Sequence, residues 1–118
     1  MAIYSIDPNK QFSIDNLRVL TASENTIELS ENAKRRINKC REYLDKKLES
    51  ENVPVYGINT GFGALYNQSV PKKDLTQLQH NLLMSHACGM GDEVPVEIVK
   101  LMLLLKINSL SYGNSGVS

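Results

Sequence analysis

The residues best able to do chemistry lie in the middle of the chain. The stretch VPVYGINTGFGAL, from Val53 to Leu65, sets Tyr56, Asn59 and Thr60 among three glycines, Gly57, Gly61 and Gly63. Further on, LQHNLLMSHACGMG (Leu78–Gly91) carries His80, Ser85, His86 and Cys88. Glycine loses more backbone freedom on folding than any other residue, so a cluster calls for positive φ or a close approach of the backbone to something. An active-site loop answers that call. A structural turn with Tyr56 packed on a neighbour answers it equally well. His86, taken by itself, reads as a hydrogen-bonded core histidine at the end of a helix.

Several other chemistries are disfavoured by spacing. The glycines run G-x3-G-x-G, which is neither the G-x-G-x-x-G of dinucleotide folds nor a P-loop, since no Lys-Ser/Thr pair follows the last of them. His80 and His86 stand about 120° apart around a helix at roughly 100° per residue, and no acidic ligand is spaced to join them on a metal. Ser85 and His86 are neighbours in sequence and are expected to point different ways on a helix, which argues against a nucleophile–base pair. Cys88 is placed on a different side from His86 by the same reasoning. Cys40 and Cys88 are therefore expected to be small buried hydrophobes.

Composition narrows the partners. Thirteen Lys+Arg balance 13 Asp+Glu over 118 residues, with no basic tract, which disfavours nucleic acid as a partner. Two widely separated cysteines fit reduced thiols. The opening MAIYSIDPNKQFS has no basic region followed by an apolar one. The densest apolar run, Leu101–Leu105, is closely flanked by Lys100 and Lys106 and is too short to span a bilayer. A soluble, cytoplasmic protein without membrane or nucleic-acid partners is expected, and the length fits one domain over 1–118.

The elements that must position these residues are mainly helical, with a few short strands. Ile3–Ile6 and Thr26–Leu29 read as strands, with a turn at Asp7–Pro8–Asn9. Ser13 caps a short helix with Ile14, Leu17 and Leu20 at helical spacing. Ser30 caps a long amphipathic helix to about Glu49, with the stripe Ala33, Ile37, Cys40, Leu44 and Leu48. Asn52–Val53–Pro54 ends it and leads into the glycine loop. A second long helix is predicted from about Lys73 to Ala87, with Leu75, Leu78, Leu82, Leu83 and His86 near one side and Gly89–Met90–Gly91 as its stop. A third runs from about Pro95, in its first turn, to Tyr112. Its apolar residues point almost all round, the pattern of a helix enclosed on most sides, yet a chain this small has few elements to enclose it.

Four ordered matches give these features a family. YGINTGFG (Tyr56–Gly63) resembles the N-terminal signature of the histidine and aromatic amino acid ammonia-lyases. LQHNLLMSHACGMG resembles their helix with a Ser-His pair and a glycine ending, and PVEIVKLMLLLKINSLSYG (Pro95–Gly113) resembles the long helix that follows. GNSGVS (Gly113–Ser118) is similar to their Gly-x-Ser-Gly-Val turn. The resemblance covers residues 12 to 118. It implies the N-terminal domain of the ammonia-lyase fold without its central helical bundle, and an enzyme that eliminates ammonia from an amino acid to leave an α,β-unsaturated acid. The electrophile implied is methylidene-imidazolone (MIO), formed from an internal Ala-Ser-Gly. Tyr56 stands where the family has its loop tyrosine, assigned to acid–base work. His86 stands where the family's active-site histidine faces the substrate ring and helps select it.

No Ala-Ser-Gly occurs in the chain; Asn114-Ser115-Gly116 is the nearest string and lies upstream of where the cofactor tripeptide belongs. The expectation is therefore the N-terminal portion of a lyase, inactive alone and a homotetramer when full length, whose isolated form self-associates through its third helix. Ser85-His86 and KINSLS (Lys106–Ser111) resemble histidine ammonia-lyases most, with urocanate as product; tyrosine or phenylalanine lyases and aminomutases are the alternatives. A different class of reading is a non-catalytic interaction module in which Tyr56 and His86 are relics of ancestry.

Overall fold

The computed structural model describes residues 3–22, 25–51 and 53–117. Asn52 and Ser118, each part of a sequence expectation, lie outside the described residues. The elements run β1 (Ile3–Ile6), α1 (Ile14–Ala22), β2 (Thr26–Leu29), α2 (Glu31–Ser50), α3 (Leu75–His86) and α4 (Val96–Ser111), with short 3-10 turns at Gly63–Leu65 and Lys72–Asp74. The mainly helical fold with short strands is thus as expected. The chain divides into two compact units, one of residues 1–47 with 93–118, the other of residues 48–92.

In the first unit β1 and β2 pair in parallel from Ile3↔Thr26 to Ile6↔Leu29, with α1 as the crossover. Each following helix starts where a serine can satisfy an orphan N–H. Ser13 Oγ accepts the Asn16 N–H (3.1 Å) while Asn16 Oδ1 accepts the Ser13 N–H (3.1 Å), a reciprocal cap. Ser30 Oγ accepts the Ala33 N–H (3.1 Å) at the head of α2. Ile6, Leu20 and Leu104 bury together, with Tyr4, Phe12, Leu17 and Leu29 packed around them. Of the spaced positions in α1, Leu20 is buried and Leu17 half-buried, whereas Ile14 is exposed. In α2, Ala33 is buried and Ile37, Cys40, Leu44 and Leu48 are half-buried, the predicted stripe.

Helix α4 starts just after Pro95, whose φ of −51° and extended ψ lead into the first turn instead of forming part of it. Its expected enclosure is partial. Leu104 is buried, while Val96, Met102 and Leu103 are about 60% exposed (64%, 62% and 59%). No described helix is long and apolar enough to cross a membrane.

The second unit is held differently. Its buried side chains among the described residues are Asn59 and Thr60, both polar. Hydrogen bonds, not an apolar core, define its loop.

Candidate functional site

The loop from Val53 is folded around Asn59. The Asn59 Oδ1 accepts the Val55 N–H (2.7 Å) and its amide donates to the Val53 carbonyl (3.1 Å), while its own carbonyl accepts the Val70 N–H (2.7 Å). Thr60 is fully buried and bridges Ser69 in antiparallel fashion. Satisfying buried backbone groups in this way lets an irregular segment hold one shape without helix or sheet.

Both reasons for glycine apply here. Gly57 and Gly63 have φ of +73° and +58°, which other residues adopt only with strain. Gly61 serves a close approach: a Cβ there would lie 2.6 Å from the Leu65 Cβ, too near for two non-bonded carbon atoms.

The loop presents Tyr56, 62% exposed, with its ring centroid 5.6 Å from that of Phe62. Phe62 in turn meets His86 edge-on at 5.8 Å. The two residues singled out in sequence are thus joined through a third, Phe62, that was not. Gln79 was missed as well; its amide donates to the carbonyls of Gly57 and Ile58, both at 3.3 Å. The signal for Gln79 was its spacing, two helical turns before His86 and so on the same side of α3. Phe62 lay inside the glycine signature itself. Phe62, Gln79, Leu82, Leu83, His86 and Ala87 line an open, mainly apolar depression of about 410 Å³.

His86 is exposed and not in the core. Its Nδ1 lies 2.8 Å from the Leu82 carbonyl, and Ser85 Oγ lies 2.9 Å from both that carbonyl and Nδ1. A carbonyl only accepts, so Nδ1 carries the ring proton and Nε2 of the neutral ring is a lone-pair acceptor. The expectation that Ser85 and His86 point apart is corrected: both side chains fold back onto the carbonyl one turn earlier. They still form no nucleophile–base pair, because the hydroxyl gives its proton to Leu82 and faces a nitrogen that is already protonated.

Two further expectations change. Helix α3 ends at His86, with the Ala87 N–H on the Leu83 carbonyl and Ala87 at ψ 81°, so it stops before the glycines; Gly91, not Gly89, takes positive φ (+86°). Cys88 follows that end and is exposed instead of buried, while Cys40 is half-buried. The predicted α3 stripe also splits, with Leu75 and Leu78 half-buried but Leu83 70% exposed at the depression. Among the described residues no group of three His, Cys, Asp or Glu is placed to hold a metal ion.

Comparison with known proteins then gives the chain a family. The family model described as "Aromatic amino acid lyase" matches residues 12–118, and the chain belongs to that family. Histidine ammonia-lyase of Deinococcus radiodurans is 48% identical over 91 residues, covering 77% of this chain and 17% of that protein. The crystal structure of histidine ammonia-lyase from Trypanosoma cruzi aligns with all of this chain and 22% of its own, with TM-score 0.84 and 34% identity. Tyrosine aminomutase from Streptomyces globisporus aligns with 99% of this chain and 22% of its own, with TM-score 0.87 and 26% identity. The chain spans about a fifth of the length of the curated relatives it matches.

Proposed function

We propose that this chain is the N-terminal portion of an amino acid ammonia-lyase acting on L-histidine, which eliminates ammonia non-oxidatively to give urocanate. The observation that carries the reading is the line of three rings in a chain of this family: Phe62 and His86 line one depression, and Tyr56 stands against Phe62. Removing a weakly acidic β-hydrogen needs a strong base held close to it, and Tyr56 is that base. The loop carries it over the substrate and excludes water when it closes. His86 faces the substrate ring, and its Nε2 acceptor suits a ring that offers an N–H, as imidazole does.

The same acceptor suits a phenol hydroxyl, so tyrosine is the second substrate reading, for a lyase or an aminomutase. MIO supplies the electrophile that makes the amino group a leaving group. The residues present do not form it. Gly116 of the Asn114-Ser115-Gly116 string is buried against α2, where a Cβ would lie 2.6 Å from Leu44 Cδ2, and its carbonyl accepts from Arg41 (3.3 Å). That string is a structural turn, and the electrophile belongs to a part of a full-length lyase beyond these residues. We further propose a cytoplasmic homotetramer.

The test is the intact mass of the protein from its own cells, followed by assay of the product with histidine and tyrosine. A chain of several times this length that makes urocanate is the expected result, with Tyr56→Phe lowering kcat by about 10²–10⁴-fold, the usual worth of a positioned acid–base group. A native product ending near Ser118, without lyase activity, overturns the reading in favour of an interaction module.

A further inference from the structure

We propose that Gln79 is a positioning residue for the lyase reaction: by holding the backbone just after Tyr56, it sets where that tyrosine stands relative to Phe62 and His86. This rests on the acid–base role of Tyr56 given above.

One amide group makes two bonds here, to consecutive carbonyls of the loop, Gly57 and Ile58 (3.3 Å each). Gly57 directly follows Tyr56 and sits at φ +73°, so the peptide that Gln79 grips is joined to the tyrosine through the most freely rotating residue type in the loop. A change at Gly57 would shift Tyr56 relative to α3 unless something ties the turn to that helix. The turn itself is closed by the Ile58 and Asn59 N–H groups on the Val55 carbonyl (3.0 and 3.2 Å), and Gln79 is the α3 side chain that ties this turn to the helix, while the exposed Tyr56 is not fixed by burial.

The grip also brings the rings together. Gln79 and His86 lie on the same side of α3, and both line the depression. Drawing Gly57 onto Gln79 sets Phe62 between Tyr56 and His86, since the Phe62 Cε1 would be only 3.2 Å from a Cβ at Gly57. Gln79 thus indexes the base against the ring-facing histidine through one backbone anchor. The bonds need an N–H donor; bulk alone does not replace it.

Gln79→Glu keeps the size of the side chain but presents a carboxylate to two carbonyls, and Gln79→Leu removes all polarity. Gln77→Leu is the control, because Gln77 bonds along its own helix to Asn81 (2.8 Å). The protein is used as its cells make it. Hydrogen–deuterium exchange over residues 53–66 is expected to speed up about tenfold in both Gln79 variants, with α3 peptides unchanged, as local opening without global unfolding requires. Steady-state kinetics are expected to show kcat lowered on the order of ten- to a hundredfold with KM within about twofold, since a displaced base weakens the transition state more than substrate binding. Gln77→Leu should match the wild type in both. Unchanged loop exchange in both Gln79 variants overturns the proposal, as does a loss expressed in KM alone. The exchange arm needs no turnover, so a protein without lyase activity sinks the functional reading while the exchange result still decides whether Gln79 holds the loop.

Discussion

His86 shows how much chemistry one backbone carbonyl can dictate. Leu82 O, one turn back along α3, accepts from both the Ser85 hydroxyl and His86 Nδ1, and so chooses the tautomer of the ring. We expect ¹⁵N NMR of the neutral imidazole to show a protonated Nδ1 and an unprotonated Nε2. Ser85→Ala should leave that pattern in place, because the carbonyl remains; an Nε2–H tautomer in the wild type would refute the assignment. The residue types at this site were legible in sequence and the contacts were not. Tyr56, His86 and the glycines announced themselves through a recognisable string. Phe62 and Gln79 matter because of what they reach in space, and the side-chain directions of Ser85 and His86 followed from a shared hydrogen bond that helical spacing does not encode.

At the scale of elements, the starts of α1 and α2 follow from local chemistry. Ser13 and Ser30 cap where a cap was expected, since the bonds span three residues and need no tertiary partner. Asp7 ties the end of β1 to this region. The Asn9 N–H donates to its carboxylate (2.8 Å), with the Ser30 hydroxyl and the Asn32 amide as further partners, and these bonds hold its pKa below the ordinary 3.8. A carboxylate with a lowered folded pKa stabilises the fold above its unfolded pKa, and that stability is lost as pH falls through the folded pKa. Urea unfolding of the wild type should therefore weaken on acidification below the ordinary carboxylate range, and Asp7→Asn should flatten that slope. Ser30→Ala should reduce stability by about 1 kcal/mol at neutral pH through the lost cap. An acid limb of equal slope in wild type and Asp7→Asn would remove Asp7 from the account. Helix ends were less legible at α3, where Ala87 turns the chain before the glycines arrive.

The molecule as a whole carries more apolar surface than its small core absorbs. Ile6, Leu20, Ala33 and Leu104 are its buried hydrophobic residues among those described, while α4 leaves Val96, Ile98, Met102, Leu103 and Leu105 exposed. Such a surface favours contact. The isolated chain is expected to self-associate, so light scattering at rising concentration should show growth beyond a monomer, reduced by Met102→Glu with Leu103→Lys. A clean monomer at high concentration counts against this. By itself the sequence determined the element types, the serine caps of α1 and α2, the family and the loop that carries Tyr56, because these depend on periodicity, short-range hydrogen bonds and an ordered set of motifs. Tertiary structure alone decided which residues meet: the placement of Phe62 between Tyr56 and His86, the reach of Gln79 to Gly57 and Ile58, and the exposed face of α4. Those contacts arise from how a loop without an apolar core settles on one side of a helix, a matter of long-range geometry that no local pattern contains.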